Sequence, residues 1–164
     1  MIITPLLVVF SVIVFTLTFL FVNTIDDRKW ITIPLSIILT PFIYFYAFYP
    51  MLNIFSSYHH EKYFDSELWH KNPSFRYEMY DNIIETDTLI GISKPKIKEL
   101  LGTYEWLSWD ETLDAHNENR WNYGIGILPG AFNSQSEAME IVFDNDTVRQ
   151  INTYKITLKT DAKK

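Results

Sequence analysis

The sequence predicts an α+β protein: a two-helix transmembrane hairpin followed by short helices packed on an antiparallel sheet. Three observations lead there. Positions 2–22 and 30–60 contain no Asp, Glu, Lys or Arg; apolar residues recur at helical spacing between Phe75 and Leu101; and apolar residues alternate between Trp121 and Leu158. Charge is divided just as unevenly. Among the first 60 positions only Asp26, Asp27, Arg28 and Lys29 are charged, and the whole net charge of −6 arises after them. A chain of 164 residues with that asymmetry separates into a membrane part and an acidic polar part.

The run from Ile2 to Val22, 21 residues, would span about 31 Å as a helix, close to the roughly 30 Å hydrocarbon core. A cleaved signal peptide would want a basic segment before it and a small-x-small site after it, and Phe21-Val22-Asn23-Thr24 offers none, so the helix is expected to be retained. The second span, Trp30 to about Phe55, contains Pro34, Pro41 and Pro50, which predict a kink near Pro41 and an end near Pro50. Trp30 at one end and Tyr44, Tyr46, Tyr49 and Tyr58 toward the other fit two aromatic belts at the water boundary. Thr16, Thr18, Ser36 and Thr40 are expected to bond to their own helix or to its neighbour. Neither span holds an ionisable side chain of the kind that ion pathways and proton relays use, which argues against a transporter or channel.

The seven-residue connection Asn23–Lys29 makes the helices antiparallel neighbours, and Arg28 and Lys29 in it point to a cytoplasmic loop. We therefore expect a two-pass protein of the bacterial inner membrane: a hairpin over residues 1–58 (2–22 and about 30–55) and an extracytoplasmic α+β domain over 59–164. The lipid bilayer is one partner. Nucleic acid is not, because no basic face is present to displace counterions from phosphates. With no cysteine there is no disulfide, thiol nucleophile or Cys-based metal site. His59 and His60 are adjacent and His70 and His116 stand alone, so solvated or interfacial histidines are expected rather than metal ligands, and no cofactor is expected.

In the polar domain, Phe64–Trp69 predicts a first short helix. Asn72-Pro73 then reads as the cap and first position of a second, with Phe75, Met79 and Ile83 as its buried stripe and Arg76, Glu78 and Asp81 solvated or locally paired. Ser93 reads as the cap of a third helix carrying Ile97, Leu100 and Leu101, and Gly102 as its left-handed terminator. The residues from Trp106 to Asn119 read as a long charged connection. Trp121, Tyr123, Ile125 and Ile127 share one face of the following strand, while Gly124 and Gly126 allow another element to approach closely. Met139, Ile141 and Phe143 form the next strand. A turn at Asn145-Asp146 leads to Val148, Ile151, Tyr154, Ile156 and Leu158, whose phase change suggests a bulge. Trp69, Phe75, Met79, Ile97, Leu101, Ile141 and Phe143 are expected to share the core.

The segment from Gly91-Ile92-Ser93 through Leu100-Leu101-Gly102 resembles the opening helix of the small outer-membrane assembly lipoproteins of the BamE/SmpA type, and Ile141–Val148 resembles their strand, turn and strand. A related group of bacterial envelope proteins is similar at Phe64-Asp65, Trp69, Asn72-Pro73, Arg76, Met79 and Asp81. This chain has no lipidated cysteine, and its two apolar helices stand in that place. The resemblance implies a small α+β domain with an adaptor-like role at a membrane surface.

Function is expected to follow: a membrane-anchored, non-enzymatic interaction or envelope adaptor module with an envelope protein as partner. Trp106, Trp109, Trp121 and Tyr123 bring amphipathic rings close to Asp110 and Asp114, flanked by Glu105, Glu111, Glu118 and Glu137; aromatic anchors with an acidic rim would select a basic partner. One alternative is a membrane-anchored immunity or inhibitor protein that covers a basic toxin. Another is a hydrolytic enzyme using the acidic stretch from Asp110 to His116, which would need an acid and a base held at a defined separation.

Overall fold

A computed structural model of the chain describes residues 1–157; Leu158, which the sequence assigns to the last strand, lies outside the described residues. The chain divides into two compact units, Met1–His60 with Pro129–Phe132, and Glu61–Leu128 with the residues from Asn133 onward.

In the first unit, α1 (Pro5–Ile25) starts at Thr4, whose hydroxyl accepts from the Leu7 amide at 3.3 Å, with Pro5 supplying the preset φ of a first turn. Leu7, Val14, Thr18 and Val22 are its buried residues. Their spacing of seven, four and four keeps them on one stripe. Opposite lie Thr32 and Ser36 of α2 (Lys29–Ile43), both fully buried. Small side chains let two apolar helices approach closely, and each buried hydroxyl is satisfied locally. Thr18 donates to the Val14 carbonyl at 2.8 Å and Ser36 to the Thr32 carbonyl at 2.7 Å, while Thr16 and Thr40 make the same backward bond on their own helices. The turn between the helices is closed by Asp26 and Arg28, 2.6 Å apart.

The expected end near Pro50 does not occur. After α2 the helix widens into one π turn, Tyr44–Phe48, in which the Tyr49 amide reaches back to the Tyr44 carbonyl, and it continues as α3 (Tyr49–Phe55). Pro50 has no N–H to give, so a locally wider turn lets the chain pass it without breaking. Pro41 also lies within continuous helix. The result is an apolar helix from Lys29 to Phe55, 27 residues, and this and α1 are both long and apolar enough to cross a membrane. Near its end, His60 is ringed by Tyr44, Phe45, Tyr49 and Tyr58, with ring centroids between 4.5 and 5.7 Å away, and the Tyr44 hydroxyl and His60 Nε2 are 3.0 Å apart.

The second unit is α+β, as the sequence predicts: three short helices on one face of a four-stranded antiparallel sheet whose strands lie side by side in chain order. Asp65, not Asn72, provides a cap: it accepts from the Leu68 amide at 2.9 Å to start α4 (Ser66–Lys71). Asn72 and Pro73 lead instead into a 3-10 turn, Pro73–Phe75, before α5 (Tyr77–Glu85). A 3-10 turn advances three residues per turn rather than 3.6, so Phe75 falls out of phase with Met79 and Ile83. It is 52% exposed and not in the core, whereas Met79 and Ile83 are buried. In α6 (Lys94–Leu101), Ser93 stands at the cap position without a side-chain bond; its backbone bridges to Thr147. Gly102 ends α6 at φ +86 as expected, and a Cβ there would meet the His70 ring at 2.9 Å.

Arg76, expected to be solvated or locally paired, is only 7% exposed and pairs with residues distant in sequence. Its Nε donates to the Trp69 carbonyl at 3.0 Å, its Nη1 to the Gly124 carbonyl at 2.9 Å and to Glu105 Oε1 at 2.6 Å, and its guanidinium lies 4.8 Å from the Trp69 ring centroid.

The sheet comprises β1 (Trp106–Asp110), β2 (Ala115–Gly126), β3 (Gln135–Asp144) and β4 (Thr147–Thr157). The expected connection over Trp106–Asn119 is therefore a strand pair. The segment lacked an apolar alternation because most of its side chains are partly or fully exposed, leaving no buried face to write the pattern. The turn at Asn145-Asp146 has φ values of +48 and +61, the mirror-image turn that hairpins favour. Val142 pairs with Gln150 but Phe143 with Val148, so Arg149 is the bulged residue behind the phase change. A second bulge, between Gly124 and Gly126 of β2, keeps Ile125 fully buried and takes Ile127 out of phase, leaving it 45% exposed. A Cβ on Gly126, at φ +100, would lie 2.7 Å from the Ser74 carbonyl oxygen, which is the close approach the glycine permits. The start of β4 is also held from the helical side: Gly91 N–H donates to Val148 O at 2.8 Å and Val148 N–H to Ile92 O at 2.9 Å.

Trp69, Met79, Ile83, Ile97, Leu101, Ile141 and Phe143 pack in one core with Leu89, Trp121, Tyr123, Ile125 and Met139. Leu101→Ala is expected to lower stability by about 2–5 kcal/mol, and Phe75→Ala by about 0.5 kcal/mol or less, in chemical denaturation followed by tryptophan fluorescence. Gly126→Ala should destabilise by more than about 1 kcal/mol, because it meets both an unfavourable φ and the Ser74 carbonyl.

Candidate functional site

The six residues singled out from sequence all lie on the first strand pair and its turn, but in three places. Trp109, Asp110 and Asp114 are at the turn end, and Trp106 is at the other end of β1, paired with Asn122. The Trp121 and Tyr123 side chains join neither. Trp121 is 9% exposed between Tyr104 and Phe143, with centroids at 5.1 and 4.7 Å, and Tyr123 is 1% exposed with its hydroxyl donating to the Gly102 carbonyl at 2.9 Å. Both side chains are on the helix-covered face of β2, so they serve the core rather than a surface.

At the turn, Asp110 accepts from the Thr112 amide at 3.0 Å and from the Asn117 side-chain amide at 2.8 Å. Those bonds, with one from the Thr112 hydroxyl, hold its carboxyl down to about 2. Asp114 takes φ +47, which a short polar side chain tolerates, and completes the turn. Trp109 is 53% exposed with its ring edge-on to His116 at 5.4 Å, and Leu113 is 61% exposed. Glu111 and Asp114 in the turn and Glu118 on β2 are exposed as well. His116 is directed to the Leu107 carbonyl, 3.3 Å from Nδ1, so the bonds of Asp110 and those of His116 go to separate partners. The turn end thus carries two exposed apolar side chains and exposed carboxylates close to them in sequence.

The sheet face away from the helices holds a polar cluster that sequence reasoning missed. Glu140, 4% exposed, accepts from Arg120 Nη2 at 3.0 Å, from Asn152 Nδ2 at 2.9 Å and from the Ser108 hydroxyl. Asn122, fully buried, donates to Ser108 Oγ at 3.0 Å and accepts from the Tyr154 hydroxyl at 2.9 Å, which in turn accepts from Trp106 Nε1 at 3.0 Å. All four strands contribute, and Trp106 is tied to Tyr154 through its indole N–H. Burial opposes the charge on Glu140, but the three hydrogen bonds and the Arg120 charge outweigh it and hold the carboxyl below its ordinary range. The trace of this cluster in the sequence is a glutamate between Met139 and Ile141, and an asparagine between Trp121 and Tyr123. Strand alternation sends these positions away from the apolar core, but alternation alone does not distinguish a solvated face from a sealed polar one.

A carboxyl whose folded pKa is depressed adds stability above its unfolded pKa, and that contribution disappears as pH falls through the folded value. Glu140→Gln is therefore expected to destabilise at pH 7 by about 1–3 kcal/mol. Its deficit relative to the wild type should shrink as pH falls below about 4, in denaturant midpoints collected across that range. A deficit independent of pH would place the effect in shape rather than charge.

Compared with known proteins, the chain matches no family model, and no curated protein or solved structure is significantly similar to it.

Proposed function

We propose that the chain is a membrane-anchored, non-enzymatic interaction module of the bacterial envelope, with its sheet domain outside the cytoplasm and a basic protein as partner. The observation that carries this reading is the tip of the β1–β2 pair. Trp109 and Leu113 are 53% and 61% exposed there, and Glu111, Asp114 and Glu118, close to them in sequence, are exposed too. Large exposed apolar side chains within a charged rim are the anatomy of a docking point, and an acidic rim favours a basic partner by steering and by rejecting acidic ones. Anchoring in the inner membrane is supported by the two apolar helices, and orientation by Arg28 and Lys29 in the turn between them. The resemblance to BamE/SmpA-type domains is in keeping with an adaptor-like role. An immunity or inhibitor protein that covers a basic toxin would use the same surface, and identifying the bound partner separates the two.

Alkaline phosphatase fused after Lys164 is expected to be active, and a fluorescent protein that needs the cytoplasm to mature is expected to be dark; the opposite pair of results reverses the orientation. For the surface, a photoreactive residue at Trp109 in intact membranes should give a discrete protein adduct that the same residue at Lys96, exposed on α6, does not give. Glu111→Lys with Glu118→Lys should reduce that adduct several-fold. An adduct that forms equally from Lys96, or is indifferent to charge reversal, rejects this tip as the docking point.

A further inference from the structure

The loop between β2 and β3 belongs to the membrane unit rather than to the sheet domain: Pro129–Phe132 groups with Met1–His60. A helix leaves its last four carbonyls without partners from its own backbone. In α3 one of these is met from the loop, since Ala131 N–H donates to the Asn53 carbonyl at 3.1 Å. This bond sets the depth of the loop. Counting from Trp30 beside the charged turn, about 20 residues or 30 Å of helix reach Pro50, and Asn53 lies about 4–5 Å further on. That is the level at which acyl chains give way to headgroups. The helix there still presents Phe55, 85% exposed, and Met51, 58% exposed.

The next residue after Ala131 is Phe132, 84% exposed. From Ile127 to Phe132 the sequence has no charged or hydrogen-bonding side chain, Ile-Leu-Pro-Gly-Ala-Phe. A loop on a water-facing sheet would be expected to be polar, as the turns at Asp110–Asp114 and Asn145-Asp146 are. From the anchoring bond, the exposure and the composition we propose that this loop is a third membrane contact, with the Phe132 ring seated in the bilayer at the boundary between headgroups and acyl chains. The occupant of this surface is lipid: the loop is continuous with the lipid-facing end of the second helix, and an aromatic ring is suited to that level of the membrane. The inference rests on the hairpin spanning the bilayer.

The absence of native cysteine allows single nitroxide labels to be placed one at a time in the full chain. Labels at Leu17→Cys, in the middle of α1, at Phe55→Cys, at Phe132→Cys and at Leu113→Cys would be compared in vesicles of phosphatidylcholine with a minority of phosphatidylglycerol. Collision with oxygen, enriched in lipid, is read against collision with a nickel chelate confined to water. The label at 132 should match that at 55, with an oxygen-to-nickel ratio several-fold above that at 113. Ala131→Cys gives the same reading with the Phe132 ring intact, should the 132 variant fold poorly. If 131 and 132 are as open to nickel as 113 while 17 is shielded, the hairpin spans and the loop proposal is wrong. If 17 itself is open to nickel, the membrane reading falls and the loop proposal with it.

Discussion

The second unit is organised around one buried cation. Arg76 sits where α5 begins and is closed in by the Trp69 carbonyl, the Gly124 carbonyl, the Glu105 carboxylate and the face of the Trp69 ring. A guanidinium removed from water is tolerable only when its donors are met by well-placed acceptors. Those acceptors come from α4, from the approach to β1 and from near the end of β2, so the arginine's requirement for partners joins three parts of the chain that are distant in sequence. Neighbouring features follow from that requirement. Gly124 leaves room for the Glu105 carboxylate, which lies 3.0 Å from where a Cβ would be and also accepts from the Gly124 amide at 3.1 Å. Gly126 leaves room for the backbone of the turn that carries Ser74, two residues before the arginine. The interruption of α4 and α5 by a 3-10 turn belongs to the same arrangement.

The sheet built on this support has two closed faces of different chemistry. One is apolar and covered by helices. The other is closed by its own side chains, with Glu140 and Asn122 at its centre and hydrogen bonds running through all four strands. An apolar face accepts many packings of similar volume, whereas a set of donors and acceptors is satisfied in few arrangements. The polar face therefore specifies strand register as much as it adds stability, in a sheet whose register already departs from regularity in each of its three strand pairings.

What the sequence made legible was whatever has a strong period or a special backbone requirement. The two uncharged spans, Met79 and Ile83 of the α5 face, the α6 face, the strand of Met139, Ile141 and Phe143, the Asn145-Asp146 turn and the Gly102 terminator could all be read directly. Features that depend on partners from elsewhere in the chain could not. Arg76 looks like any surface arginine until Glu105 and Gly124 are beside it. The strand pair around Trp106 and Trp109 carries no alternation because it has little to bury. Trp121 and Trp109 are alike as tryptophans in a charged neighbourhood; only the strand phase, set by the bulges, sends one into the core and leaves the other at the tip. The polar cluster was hidden for a related reason, since alternation reports which side a residue faces and not what closes over it.

The strand order has a consequence for how such a chain comes to be made. Each strand pairs with the one synthesised just before it, so most of the sheet is assembled from contacts between neighbours in sequence, which form quickly and without long loops to close. One connection is different. The start of β4 returns to Gly91 and Ile92 and bridges Ser93, joining the last strand to the segment that precedes α6. A chain synthesised from its amino end can lay down helices and three strands as they emerge, while this seam stays open until β4 has arrived. That strand acts as a latch, and a chain that stops short of it is left with Val148 missing from its core and the amide of Gly91 unmatched.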